Sequence, residues 1–380
     1  MLASLVLLLL AGTAPVIDPE TATSVRLKGL VADRDPGLAV LVRRNGRTVF
    51  ARGYGVGDLR TRTPIDVRTS FRLASVTKQM TAAAIMRLVR EGRLRYEDTL
   101  TRALPGFPAY GSSVTIRHLM THTSGLPDYE TLMDSAEKVK GPIWTPERQI
   151  RDDEVLALLQ KETHGLFAPG TSWAYSNSGY VVLGLIAARA ADKPFGDVLR
   201  ERIFGPLGMT RTLAYEKGKN EVADRAYGHT KEPTGFRETD QSSTSATLGD
   251  GGVYSCLEDL AKWDEALRTN ALLSKAEMTP ALTPVRLGDG SEPHWPKADQ
   301  GGDNLFPGRP VAYGFGWFLD PLGGRPRMWH HGETMGFRSA VERFPADGVT
   351  IVVLANRDDI DLKSLALELA EGELGRGVRP

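Results

Sequence analysis

Arg72-Leu73-Ala74-Ser75-Val76-Thr77-Lys78-Gln79-Met80-Thr81-Ala82-Ala83-Ala84-Ile85-Met86 is the stretch around which the chain is organised. No Gly or Pro interrupts it before Gly92, and its Ala, Met and Leu residues favour helix. It is apolar on nearly every side, which suits a buried helix. Ser75 and Lys78 stand three apart, so a helix places hydroxyl and amine on one face. Lys78 is the single charge between Leu73 and Met86. A lysine in such surroundings is either paired or gives up its proton. A neutral lysine beside a serine is one way to activate an oxygen nucleophile. Ser75 also falls at the helix start, where the partial positive charge of the helix favours an anion.

The S-x-x-K spacing decides nothing alone. A second copy, Ser135-Ala136-Glu137-Lys138, is followed by Gly141-Pro142 and has no apolar helix behind it, so it reads as surface. Ser75 in isolation reads equally well as a helix-start serine beside a satisfied lysine. The rest of the chain has to separate the two readings.

The 380 residues carry 47 Lys+Arg against 47 Asp+Glu, a formal net charge of zero that argues against a general nucleic-acid surface. The length allows two or three domains, or one large α/β body with an insert. With Cys256 the only cysteine, an intramolecular disulfide is excluded and a thiolate metal site is disfavoured. Leu2 to Ala11 is an apolar run followed by Gly12-Thr13-Ala14, the pattern of a signal peptide with a small-residue cleavage site. Residues 1–14 are therefore expected to be a signal peptide directing export to the periplasm or beyond. No Lys or Arg precedes the run and Pro15 follows it, so a mis-assigned start or an N-terminal anchor are the alternatives. The run is short for a bilayer span, and no stable membrane span is expected.

Pro19 suits a helix start. Two apolar runs between Gly37 and Tyr54 flank Asn45-Gly46, the strongest short-range hairpin signal. Helical patterns then dominate to about residue 215, over 114–121, 152–161, 181–191 and 195–203, while 128–150 reads as polar and irregular. Residues 216–247 read as surface loop, 257–267 as helix, and 284–310 as a long loop of the kind that is usually functional or mobile. From Val311 the period changes to strands over 313–319, 327–331, 337–344 and 350–354. These are broken by Gly323-Gly324, by Gly332 to Gly336 and by Asp347-Gly348, an antiparallel meander closed by an amphipathic helix over 361–374. Strands at both ends and helices between them give an α/β (α+β) chain: an antiparallel sheet flanked by helices from 15–71 and 248–380, and an inserted, mostly helical domain from 72–247.

Three short stretches now stand apart: Ser75-Val76-Thr77-Lys78, Tyr175-Ser176-Asn177 and His330-His331-Gly332; neither Y-x-N nor H-x-G recurs. In this order they resemble the serine hydrolases that include class C β-lactamases, D-Ala-D-Ala carboxypeptidases, D-aminopeptidases and β-lactamase-like esterases. The resemblance extends to His118 through Leu126, Pro169-Gly170, Pro206-Leu207-Gly208-Met209, Gly251 through Ser255, and Glu333-Thr334-Met335-Gly336-Phe337. It implies the β-lactamase/transpeptidase-like fold and an acyl-enzyme mechanism.

The chemistry of each role follows from the side chains. Ser75 Oγ attacks a carbonyl carbon, and Lys78 or a Tyr175 phenolate takes its proton; the two titrate as a unit, so the base is not assigned to one of them. Tyr175 can return a proton to the leaving group. Asn177, uncharged and bidentate, suits Lys78 and a substrate amide. The tetrahedral oxyanion needs two donors; the resemblance supplies the backbone N–H groups of Ser75 and Glu333. Gly332 lets the strand backbone approach the substrate. At His330 the β-lactamases of the family have a lysine, whereas peptidases and esterases often carry His. An imidazole is mostly neutral at pH 7 and is expected to gain charge near pH 6.

The expected function is hydrolysis of an ester or amide in a small-molecule or short-peptide substrate, with esterase or D-amino-acid peptidase ahead of β-lactamase. A slow penicillin-binding-like sensor or scaffold is the alternative from another class. No cofactor, metal or nucleic acid is implied, and the oligomeric state is not readable. His118 and His122 are four apart but have no glutamate base between them, and are read as capping and packing a loop. His330 and His331 point to opposite faces of a strand and form no ligand pair. Trp173 and Tyr180 are read as core beside the one functional phenol, Tyr175, and Cys256 as a small buried hydrophobe.

Overall fold

Asn45 and Gly46 both take positive φ, 50° and 79°, which is the turn that matches the twist of a two-residue hairpin. It joins β1 (Leu38–Arg44) to β2 (Arg47–Tyr54). The computed structural model describes residues 19–297 and 306–375. Residues 1–14, expected to be a signal peptide, lie outside them, as does part of the 284–310 loop.

In chain order, α1 (Pro19–Leu27) precedes the hairpin, and β3 (Phe71–Arg72) leads through a 3-10 turn (Ala74–Val76) into α2 (Thr77–Arg90). Then come α3 (Leu100–Ala103), α4 (Ile116–Met120), α5 (Tyr129–Lys140), α6 (Asp152–Leu159), α7 (Asn177–Ala191) and α8 (Phe195–Leu199), the last continued by one wide turn. Short strands follow, β4 (Leu213–Ala214), β5 (His229–Glu232), β6 (Gly235–Glu238) and β7 (Val253–Ser255), then α9 (Leu257–Thr269) and α10 (Lys275–Met278). The chain ends in β8 (Met328–Thr334), β9 (Phe337–Phe344), β10 (Val349–Ala355) and α11 (Leu362–Leu374).

The main sheet is antiparallel with the order β2-β1-β10-β9-β8, so the first hairpin is completed by strands from the far end of the chain. Leu38 pairs with Ala355 and Arg44 with Val349. β1 and β10 are central and covered on both faces, which is why both read as unbroken apolar runs. Ala39, Leu41, Val352 and Leu354 face the helical body, while Val40, Val42, Ile351 and Val353 face the α1–α11 layer. β8 is the edge strand, and it lies beside the Ala74–Val76 turn.

Four expectations need correction. Residues 128–150 are not irregular throughout: Asp128 caps α5 by accepting from Glu130 N at 3.0 Å, and Met133 is buried between exposed charges that hide the helical period. The 216–247 segment is not only loop, since β5 and β6 form a hairpin there. Residues 313–319 are no strand; Gly314 N donates to Trp317 O at 2.8 Å and Gly316 takes φ 76°, folding the segment under α2. A Cβ at Gly316 would come within 2.8 Å of the Lys78 carbonyl, so the close approach requires glycine. Lastly, β8 runs on through Gly332 to Thr334, and the turn is at Met335-Gly336.

One buried carboxylate ties the sheet to α9. Asp264 accepts from Arg43 Nη1 at 2.6 Å, Arg343 Nε at 2.7 Å and Thr350 Oγ1 at 2.7 Å. Removing one partner of such a buried set leaves charge uncompensated. Asp264→Ala is therefore expected to destabilise the fold by about 3–5 kcal/mol in urea unfolding. Arg43→Met and Arg343→Met added to it should recover part of that loss; a single variant within 1 kcal/mol or so of wild type would refute the assignment.

Candidate active site

Ser75 sits in the 3-10 turn, after Ala74, a non-glycine residue with φ 46°. Lys78, one helical turn on, is fully buried. Its Nζ lies 3.0 Å from Ser75 Oγ, 2.8 Å from Asn177 Oδ1 and 3.0 Å from the Asp250 carbonyl oxygen. The two carbonyl oxygens can only accept. A neutral amine spends both its hydrogens on them and turns its lone pair to Ser75 Oγ; an ammonium donates to all three. The same geometry thus holds both ends of a proton transfer from the hydroxyl. Gly251-Gly252-Val253 follow Asp250, and Val253 O in turn accepts from Leu73 N at 2.9 Å, locking this segment to the Ser75 turn.

Asn177 opens α7. Ser176 caps the helix by accepting from Gly179 N at 3.2 Å, and Asn177 N donates to Asp128 Oδ2 at 2.9 Å. Asp128 therefore fixes the starts of both α5 and α7; burial raises its carboxyl, while the Glu130 and Asn177 N–H groups oppose that. Tyr175 lies half-buried just before this cap, its ring 4.8 Å from Lys78 Nζ. Its ring packs 4.3 Å from that of His122, which is buried with φ 60° and accepts from Ser176 N through Nδ1 at 3.1 Å. Burial, then Lys78 and His330, hold His122 well below the ordinary imidazole value.

His330 is where expectation and structure part. It is 2 % exposed. Nδ1 faces the His331 carbonyl at 2.7 Å and so carries the hydrogen, while Nε2 accepts from Tyr313 OH at 3.2 Å. Burial, then Lys78, lowers its pKa to about 3. It does not gain charge at pH 6, because an imidazolium there would be stripped of water and set beside the Lys78 amine.

Gly332 lies against the nucleophile turn. A Cβ there would stand 2.2 Å from the Leu73 carbonyl oxygen and 3.0 Å from Ser75 N, so only glycine lets β8 cross at this height. Ser339 Oγ, across the ladder, donates to the same Leu73 carbonyl at 2.7 Å. The Glu333 carboxylate points away, to Lys363 Nζ at 2.5 Å and Arg338 Nε at 3.7 Å.

Ser75, Tyr175, Asn177, His330 and Glu333 thus line one cleft of about 580 Å³. Lys78 lies behind it, hydrogen-bonded to Ser75 and Asn177, and Gly332 packs on the Ser75 turn. One wall is an aromatic ladder: Trp295 stacks on Phe318 at 5.6 Å and Phe318 on Trp329 at 4.3 Å. The lining also includes the polar Glu130, Ser242 and Thr244. Sequence reasoning missed the Asp250 carbonyl, Asp128, Tyr313, Glu130 and the aromatic wall. Only the stretch from His118 to Leu126 carried a signal for His122. Ser135 is exposed on α5, its hydroxyl donating to Thr131 O at 2.9 Å. Cys256 is buried and its thiol is pushed up to about 11, so it is no nucleophile at neutral pH. His118 accepts from Thr115 N in a capping box. Among the described residues no group of three or more His, Cys, Asp or Glu is placed to hold a metal, and no helix is long and apolar enough to cross a membrane.

A serine and a lysine one helical turn apart, set beside the edge strand of an antiparallel sheet flanked by helices, define the β-lactamase/transpeptidase-like fold class. The chain belongs to the Beta-lactamase family, which it matches over residues 26–371. It is 31 % identical over 346 residues to a penicillin-binding protein of Bacillus subtilis (strain 168), covering 87 % of this chain and 71 % of that one. It is 30 % identical over 365 residues to the esterase EstB of Burkholderia gladioli, covering 81 % and 91 %. The D-amino acid amidase of Ochrobactrum anthropi SV3, solved with L-phenylalanine amide, superposes with a TM-score of 0.74 at 25 % identity, covering 94 % of this chain and 98 % of that one.

The two buried imidazoles make stability sensitive to acid. The unfolded chain protonates histidine near pH 6.5, whereas folded His330 resists to about 3. Their contribution is complete above about pH 6.5 and is lost as pH falls, at up to about 1.4 kcal/mol per pH unit for each histidine. Unfolding free energy should therefore drop between pH 7 and pH 5, and His330→Gln should flatten the slope. An unchanged slope in that variant would show that His330 is not held neutral.

Proposed function

We propose that this protein is a serine hydrolase that cleaves an ester or amide through an acyl-enzyme on Ser75, with esterase or D-amino-acid peptidase activity ahead of β-lactamase activity. The observation that carries the reading is Lys78 Nζ, buried between Ser75 Oγ, Asn177 Oδ1 and the Asp250 carbonyl. Oγ attacks the substrate carbonyl as its proton passes to the Lys78–Tyr175 unit. The developing oxyanion is received by the N–H groups of Ser75 and Glu333, a pairing supported by the close packing of Gly332 on the Ser75 turn. The proton returns to the leaving oxygen or nitrogen through Tyr175, and the deacylating water uses the same groups in reverse.

Two features support the ranking. His330 is neutral and fully hydrogen-bonded, so it offers no fixed positive charge to a β-lactam carboxylate. The esterase EstB and the D-amino acid amidase stand among the similar proteins over most of their length. The apolar run 2–11 supports export as the setting in which the enzyme acts.

A fluorophosphonate should add once, on the Ser75 peptide, and Ser75→Ala should lower kcat/KM by about 10³-fold or more. Tyr175→Phe and Lys78→Ala should each lower it by about 10²- to 10⁴-fold, with the double variant little worse than either. Turnover of p-nitrophenyl esters or D-amino-acid anilides above nitrocefin is expected on one preparation. Label on Ser135, full additivity of Lys78 and Tyr175, or acylation with no turnover of any substrate would each defeat the reading, the last in favour of a slow sensor.

A further inference from the structure

Because His330 is neutral, the charge of the cleft is decided elsewhere. Among the residues described as lining it, the side chains with a fixed positive charge are Arg338 and Lys363. Both are committed to one carboxylate. Lys363 Nζ lies 2.5 Å from Glu333 Oε1, and Arg338 Nε lies 3.7 Å from Glu333 Oε2. The arrangement is held from three directions. Arg338 stands opposite Glu333 in the β8–β9 ladder and donates through Nη1 to the Thr334 and Phe337 carbonyls at 2.8 Å each. Lys363 comes from the first turn of α11, which Asp361 caps by accepting from Lys363 N and Ser364 N at 3.1 Å each. Burial raises the Glu333 carboxyl, but the Lys363 ammonium and the Arg338 guanidinium pull it below the ordinary range, so it stays a carboxylate. Asp358, beside Glu333 and Lys363, accepts from Thr230 Oγ1 at 2.6 Å and Lys231 N at 3.2 Å, and Glu130 also lines the cleft. Three carboxylates thus face two cations.

We infer that Glu333 is a specificity-determining residue of the cleft: its side chain masks Lys363 and Arg338, the two cations that would otherwise receive a substrate carboxylate, and so selects ester or amide substrates without a negative charge on that side. The inference rests on the hydrolase reading above and deepens it. The side chain and the main chain of one residue have separate tasks here. In the proposed mechanism the Glu333 N–H receives the oxyanion, while its carboxylate, bound to Lys363 of α11, sets which substrates approach. No such device is visible in the H-x-G pattern, since it needs a lysine thirty positions later and an arginine across the ladder.

The test uses two matched pairs of aryl esters. One pair carries a terminal carboxylate or carboxamide on the acyl chain, and the other carries it on the phenol. The readout is the ratio of kcat/KM for the charged member to that for the neutral member, so a general loss of rate through the Glu333 backbone cancels. Wild type should prefer the neutral member. Glu333→Gln should raise the ratio in at least one pair by about five- to thirty-fold, the difference between a neutral and a charge-assisted hydrogen bond. The gain should shrink in 0.5 M salt, because the groups are partly exposed, and should be lost in Glu333→Gln/Lys363→Gln. Lys363→Ala, which unmasks Glu333 instead, should lower the ratio below wild type and supplies a second reading if Glu333→Gln folds poorly. A ratio within twofold of wild type in both pairs for Glu333→Gln and Lys363→Ala, or a gain that persists in the double variant, overturns the inference. Absence of turnover of even the neutral esters would strike the hydrolase reading instead.

Discussion

A lysine amine buried to zero exposure is the constraint on which the rest depends. An amine in that position is tolerated only with partners for its hydrogens. None of those partners is near it in sequence except Ser75. Asn177 comes from the start of α7 and the Asp250 carbonyl from the loop before β7. The helical body is therefore pinned at one point by three segments, and that point lies under the edge strand of the sheet. The same contacts that make Lys78 affordable orient its nitrogen toward a hydroxyl that faces an open cleft.

The sheet holds its side of the cleft by different means. β8 is an edge strand, and its height over the Ser75 turn is set by close backbone packing, with Gly332 against Leu73 and Ser75 and Ser339 bonded to the Leu73 carbonyl. Behind it, β9 and β10 are tied to α9 through Asp264, and Asn356, at the end of β10, accepts from Gly37 N at 2.7 Å and donates to the Val56, Gly57 and Tyr227 carbonyls. A turn that brings a nucleophile, packed against an edge strand, suits chemistry in which a carbonyl must be held against both.

The electrostatics of the cleft follow from how each charge is buried. His330 and His122 are neutral because they sit inside an aromatic nest with Tyr313, Tyr175, Tyr180 and Trp173, where a second positive charge beside Lys78 would be costly. Glu333, Lys363 and Arg338 are partly exposed and compensate one another instead. The cleft therefore has a dry, uncharged end at the aromatic ladder and a wet, charge-balanced end at α11.

Sequence alone determined the parts whose signal is local. The Asn45-Gly46 hairpin, the apolar run after Ser75, the 337–344 and 350–354 strands and the 361–374 helix were legible because turn chemistry and periodicity act over a few residues. The three stretches around Ser75, Tyr175 and His330 were legible as a set because each is short and unrepeated, and the family and fold followed from their order. Helix α5 was hidden because its fully buried face is only Tyr129 and Met133 among five charged residues, and the 313–319 segment was misread because Gly316 serves a close approach to α2 that no local pattern announces. What only the tertiary structure decided is the environment of each group. The Asn177 and Asp250 acceptors of Lys78, the Asp128 carboxylate on α7, the Tyr313 hydroxyl on His330 and the Glu333–Lys363 contact all join residues 17 to 172 positions apart, and burial and charge compensation are properties of that assembled surrounding rather than of the residue.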